Sequence, residues 1–199
     1  MSVKIIQKYV GAKQDGVIGN ETLSKFACKL GITRAMTAHF FGNLHHESGG
    51  FRIVEESGNY SAKRLLQVFP KYFNPFNVMQ YAGNAEAIFN KTYGGRMGNT
   101  EPGDGYKFRG RGFMQTTGKY SYERLGKFLG VDLVKNPDLV ATTYPLESAI
   151  FYFTDNKLWN LVDDISEESI RLIRKRVNGG YNGLDDVRNK VKYYYNLMK

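Results

Sequence analysis

Two glutamates nine residues apart could do acid–base chemistry in this chain: Glu47 in HFFGNLHHESGGF (residues 39–51) and Glu56 in VEESGNYS. Met36, Phe40, Leu44 and Glu47 recur 4, 4 and 3 residues apart, which puts Glu47 on the apolar stripe of a helix, at its C-terminal end. A carboxylate there is partly desolvated and faces the negative end of the helix dipole, and both effects favour its protonated form. That is the environment a general acid needs near neutral pH. Gly49 and Gly50 then let the chain turn back. Glu56, flanked by Ser, Gly and Asn, is expected to be solvated, ionised and suited to act as a base. One shielded and one wet carboxylate are the minimum set for hydrolysing a glycosidic bond. Either glutamate taken alone is also compatible with an ordinary surface charge.

Other chemistries find less support. His45 and His46 are adjacent on a helix and point in different directions, and no HExxH follows, so no metal site is assigned. His46 is expected to pack beside the neighbouring carboxylate or hydrogen-bond near it. The 28 Lys and Arg against 19 Asp and Glu give a net charge of +9, which favours a polyanionic partner: nucleic acid, an acidic membrane face or an anionic wall polymer. Arg96, Arg109 and Arg111 could grip phosphate. The chain nevertheless has no GxxxxGK[ST], no zinc-finger spacing and no RNP-type aromatic signature, so nucleic-acid binding would rest on charge alone. The lone cysteine, Cys28, excludes an intramolecular disulfide and a Cys-based metal cage, and its apolar-periodic neighbours place it as a small core residue.

The elements that must position these residues are helical. The 199 residues, 42% apolar and 24% charged, suit one domain of ordinary size with a small appendage. No run approaches the ~18 apolar residues of a membrane span, and the N-terminus lacks the apolar core of a secretory signal. Ile5, Ile6, Tyr9 and Val10 share one helical face, and Leu23, Phe26, Ala27 and Leu30 share another. A helix from about Thr33 to Glu47 has Thr33 as its N-cap; another starts at Ser61 and stops before Pro70. Further helices are expected near residues 77–92, 119–129, 145–157, 167–177 and 184–197. Between them, YGGRMGNTEPGDGYKFRGRG (93–112) is too rich in glycine for a helix and too rich in Arg, Tyr and Phe for a plain linker. Strand-like alternation allows at most a small hairpin around 52–60 or 106–115. The chain is mainly α.

Four segments together carry a family resemblance: HESGGF (46–51), ESGNYSAKRL (56–65), YGGRMGNTEPGDGYKFRGRGFMQTTGKY (93–120) and NGGYNGLDDV (178–187). In this order they resemble glycoside hydrolase family 19, the chitinase and endolysin group, over about residues 31–199. The resemblance is nearest to short phage and bacterial members that degrade peptidoglycan. It implies a two-lobed, lysozyme-like fold with a central substrate cleft and an inverting reaction that needs no cofactor. Carried over by motif, Glu47 is the general acid, Glu56 the general base, and Thr117 helps to hold the attacking water. Gln115, Tyr120 and Asn178 fall on substrate-contacting positions, and Arg188 on that of an arginine orienting the base. In such an inverting pair the carboxyls stand ~6.5–9.5 Å apart.

Two departures stand out. Tyr120-Ser121-Tyr122 replaces the Asn-Tyr that many relatives carry, so a sugar-binding amide is lost or replaced at 121. Asn182 stands where plant relatives have an acidic residue, which leaves Asp185 or Asp186 as partner for Arg188. Residues 1–30 contain a DGxxGxxT turn (Asp15, Gly16, Gly19, Thr22) similar to that of a peptidoglycan-binding module, at about half the usual length. They are either a wall anchor or a vestigial helical hairpin on the catalytic domain at 31–199. The implied protein is a monomeric endolysin that accumulates in the host cytoplasm and acts on peptidoglycan glycan strands after release, without nucleic acid or stable membrane insertion. A chitinase acting on poly-N-acetylglucosamine and a non-catalytic wall-glycan binder are the alternatives.

Overall fold

The computed structural model describes residues 2–199. Its helices are α1 (Ser2–Val10), α2 (Asn20–Leu30), α3 (Arg34–Glu47), α4 (Ala62–Val68), α5 (Ala85–Tyr93), α6 (Asp104–Lys107), α7 (Lys119–Leu129), α8 (Leu139–Thr142), α9 (Pro145–Asp155), α10 (Glu167–Asn178) and α11 (Leu184–Leu197). Two 3-10 turns, Val78–Gln80 and Leu158–Leu161, join them. Among the described residues the β content is two isolated bridges, Glu55 with Arg111 and Arg111 with Thr116. The fold is mainly α. No described helix is long and apolar enough to cross a membrane.

Local chemistry sets the helix ends. The hydroxyls of Thr33, Ser61 and Ser166 accept hydrogen bonds from the amides of Met36, Arg64 and Ser169 at 3.2, 3.3 and 3.2 Å. Each such cap contributes about 1 kcal/mol. Three expectations fail for equally local reasons. The single helix over 77–92 is broken, because Gly83 takes a left-handed φ of 77° and Asn84 caps a new helix through the Ala87 amide. The glycine-rich segment contains one helical turn, α6. The possible hairpins shrink to single bridges, because Gly110 and Gly112 flank Arg111 and the chain turns again at once. Cys28 is exposed rather than in the core. It lies two residues past buried Phe26, on the opposite side of α2.

The chain divides into two compact units: the residues up to Val54 together with Pro145–Lys199, and Glu55–Tyr144. This division does not fall at residue 30, and α1 and α2 belong to the first unit. Phe26 of α2 packs on Phe40 and Phe41 of α3, with ring centroids 5.0 Å away in each case. Phe40 also meets Phe153 of α9 at 5.0 Å and Trp159 at 5.4 Å. Such aromatic pairs contribute about 0.5–1.5 kcal/mol each beyond their burial. Against the other side of α3, α11 comes so close that a Cβ on Gly42 would lie 2.6 Å from Val191 Cγ2 and 2.9 Å from its amide nitrogen. Helix α3, which ends at Glu47, is therefore held from several sides.

The second unit has its own core of Leu65, Phe73, Val78, Ile88 and Phe89, with Tyr93 stacked on Phe89 at 5.6 Å. Beside it sits Arg111, a guanidinium only 2% exposed. It donates to Glu55 Oε1 at 2.9 Å, Asp138 Oδ1 at 2.7 Å, the Lys107 carbonyl at 2.7 Å and the Tyr122 hydroxyl at 3.0 Å. A buried charge persists only when its donors are matched in this way. These bonds anchor the 107–117 segment to the stretch that carries Glu56.

Candidate active site

Glu56 is fixed by its backbone and by two tyrosines. Its amide donates to the Gly110 carbonyl at 2.9 Å. The Tyr93 hydroxyl lies 3.1 Å from Oε2 and 3.3 Å from Oε1, and the Tyr60 hydroxyl 3.3 Å from Oε1. The expected wet carboxylate is thus a covered one. Burial pushes its pKa above the usual 4.5, while the two hydroxyls and the Arg109 charge pull the other way. The carboxylate acts on its donors in return: burial, followed by the charge of Glu56, pushes Tyr60 up to about 12 and raises Tyr93 as well. Ser57, Gly58 and Asn59 suggested exposure, but the covering ring comes from Tyr93, 37 residues further along.

Gln115 and Thr117 join Glu56 around Gly110. A Cβ on Gly110 would lie 2.5 Å from Gln115 Oε1, 3.2 Å from Glu56 Oε2 and 3.3 Å from Thr117 Oγ1. Three side chains selected from sequence therefore converge on a residue that has none. The Thr117 hydroxyl donates to the Gln115 carbonyl at 2.9 Å, so its lone pairs face outward as acceptors. Gln115 has a φ of 52°, a left-handed conformation that costs a non-glycine residue about 1–3 kcal/mol and clusters at functional sites. Tyr120, 62% exposed, lays its ring against Gly98, whose Cβ would come within 2.6 Å of ring atom Cδ1.

In the first unit, Glu47 has a partner that its helical stripe did not reveal. Arg174 of α10, 2% exposed, donates from Nη1 to Glu47 Oε1, and the glutamate side chain is 27% exposed. The Nε of Arg174 donates to the Asn182 carbonyl at 2.7 Å, and Asn178 Nδ2 donates to the same carbonyl at 3.1 Å. Asn178 Oδ1 in turn accepts from the Gly180 amide at 2.9 Å. The NGGYNG segment thus folds on itself and aims a carbonyl at the arginine that holds Glu47. The missed signal was a cation on an apolar stripe, since Arg174 follows Ile170 by four residues and Ile173 by one, both fully buried.

The remaining residues of the first unit have partners of their own. Arg188 binds Glu167 Oε2 at 2.7 Å and Oε1 at 2.6 Å, and also Asp185, which is therefore one of its two partners. His46 meets Asp186 Oδ2 at 2.6 Å rather than Glu47, and His45 meets the Tyr194 hydroxyl at 2.6 Å. Adjacent positions on α3 point these two rings to different partners.

Comparison with known proteins agrees with this chemistry. Residues 21–160 match the description of glycoside hydrolase family 19, chitinase class I. A glycosyl hydrolase family 19 domain-containing protein of Haemophilus influenzae is 37% identical over 84% of this chain and 80% of its own length. An endochitinase of Arabidopsis thaliana is 34% identical over 50% of this chain, which spans only 34% of that protein. Among solved structures, chitinase C from Streptomyces griseus matches with a TM-score of 0.47 and 19% identity, over 83% of this chain and 61% of that one. By the extent of its family match and by its Haemophilus relative, the chain belongs to glycoside hydrolase family 19.

Proposed function

We propose that the chain is an endolysin-type peptidoglycan hydrolase that cleaves β-1,4 glycosidic bonds of the bacterial wall with inversion. The observation that carries this reading is the meeting of Glu56, Gln115 and Thr117 at Gly110. The attacking water is placed in the space beside Gly110, where it donates one hydrogen to Glu56 Oε2 and the other to Thr117 Oγ1, and its lone pair is left to attack the anomeric carbon. Glu56 takes the proton as the carbon–oxygen bond forms. A pKa raised by burial makes it a stronger base than a surface glutamate. Glu47 protonates the departing glycosidic oxygen on the other face of the sugar. Arg174 holds its Oε1 and so fixes the orientation of the carboxyl group.

The net charge of +9 supports a wall substrate, since peptidoglycan and its surroundings are anionic. The endochitinase names among the relatives support the second reading, cleavage of poly-N-acetylglucosamine by the same groups. We read α1 and α2 as a helical hairpin of the first unit, on the packing of Phe26 against α3. The deciding experiment is mass spectrometry of borohydride-reduced products from purified Gram-negative peptidoglycan, with Glu47→Gln in parallel. Reduced muramic acid termini identify a muramidase and reduced glucosamine termini a glucosaminidase. If chitin oligomers are cleaved and walls are not, the chitinase reading replaces the first. Wall binding without any product would retire both in favour of a non-catalytic binder.

A further inference from the structure

The segment that steadies Arg174 also walls an open recess on the other side of α10. The recess has a volume of about 610 Å³ and is lined by Glu167, Glu168, Arg171, Leu172, Lys175 and Tyr181. That volume lies in the ~300–1,000 Å³ range of small-ligand sites. Glu168, Arg171, Leu172 and Lys175 follow one another at helical spacing, so α10 offers one continuous face to it. Its floor is apolar, with Leu172 39% and Tyr181 45% exposed. The Arg171 guanidinium stands 4.5 Å from the centroid of the Tyr181 ring. Glu167 is already neutralised by the two bonds from Arg188. What remains is a mixed rim, two cations and the single carboxylate of Glu168, around two hydrophobic side chains.

Tyr181 adjoins Asn182, whose carbonyl holds the arginine that holds Glu47. The recess is therefore one residue removed from the support of the proposed acid. Peptidoglycan differs from chitin in that every second sugar carries a short peptide. That peptide has free carboxylates and, in Gram-negative walls, a diamino acid with an ammonium group beside a carboxylate. We propose that this recess binds the peptide stem of the wall, with Arg171 and Lys175 taking carboxylates, Glu168 the ammonium group, and Leu172 and Tyr181 the aliphatic stretch between them. Arginine suits the task because its fork meets a carboxylate through two parallel bonds. This inference rests on the peptidoglycan reading, and it makes the recess the feature that tells wall glycan from chitin.

The test is an NMR titration of the wild-type protein with the free stem tetrapeptide containing diaminopimelate, which the glycosidase reaction cannot consume. The expected result is amide shifts confined to residues 167–183, with a Kd at least tenfold weaker in the Arg171→Ala/Lys175→Ala double variant and in Glu168→Lys. All three substitutions are at the open rim, and the spectra themselves report whether each variant is folded. No shifts, shifts elsewhere, or a Kd unchanged within twofold in the variants would overturn the inference. Wall digestion measured on the same preparation separates the two claims. Walls digested without peptide binding sink the recess and leave the function standing, whereas peptide bound without wall digestion supports the recess and removes the proposed substrate.

Discussion

Arg174 and Glu47 are 127 residues apart in the chain and joined by a direct ion pair, with the arginine 2% exposed. The pair ties the last residue of α3 to the middle of α10. Through the Asn182 carbonyl it ties both to the NGGYNG segment. The first prediction follows from this geometry. Arg174→Met leaves a part-buried carboxylate without its donor and the Asn182 carbonyl with Asn178 alone, and it is expected to cost about 2–4 kcal/mol of stability. Turnover should fall with KM little changed, because the arginine touches the glutamate and not the glycan. Urea unfolding midpoints and steady-state kinetics on wall glycan check both halves. An unshifted midpoint with full turnover would show that the pair neither stabilises nor positions.

Gly110 supplies the second prediction. Its φ is not in the left-handed region, so alanine brings no backbone strain there, only a methyl group among Gln115, Glu56 and Thr117. The Gln115 amide is the end of a flexible side chain and can give way. Stability is therefore expected to change by no more than about 1 kcal/mol, while the methyl crowds the space beside Glu56 and Thr117 and lowers kcat by about 10²-fold. Thermal melting and kcat are the two readouts. An alanine variant as active as wild type would remove the water from this position.

Much of the helical framework was legible because its signals are local. Thr33 and Ser61 cap the helices that their positions announced, and the apolar spacing of α7, α10 and α11 delimits them to within a residue. The residues around Gly110 were legible only through the family motif, since no periodicity links 56, 115 and 117. The environments of the two glutamates were not legible at all. Glu47 was expected to be the shielded group, and it is paired with a cation from 127 residues away. Glu56 was expected to be the wet one, and Tyr93 covers it from 37 residues away. Burial and charge at a site are set by whichever segments fold onto it, and local composition does not carry that information.

A stability prediction follows for Glu56. Its folded pKa lies above the usual 4.5, so the folded state binds this proton more tightly than the unfolded chain. The stability this contributes is fully present below the unfolded pKa and is lost as pH rises through the folded value. Above the folded pKa the protein therefore bears the cost of an ionised, partly buried carboxylate. Glu56→Gln removes that charge and retains an acceptor for the two tyrosines. It is expected to melt higher than wild type at pH 7, by a margin that shrinks as pH falls toward 4, while kcat drops by about 10²–10⁴-fold. A variant that melts lower than wild type at pH 7 would contradict the sign.

The same carboxylate sets the acid side of the rate profile. As a base, Glu56 works only when ionised, so kcat/KM should fall as pH drops through its pKa. Burial raises that pKa, and the hydroxyls of Tyr93 and Tyr60 hold it down by donating to the ionised form. Tyr93→Phe keeps the ring stacked on Phe89 and deletes only the donor, which stands 3.1 Å from Oε2. The acid limb of the Tyr93→Phe profile is therefore expected to move to higher pH. At pH well above the shifted limb the rate should return toward the wild-type plateau. A limb that stays in place, or moves to lower pH, would mean that Glu56 is not the group whose ionisation limits the reaction, and the base would have to be sought elsewhere.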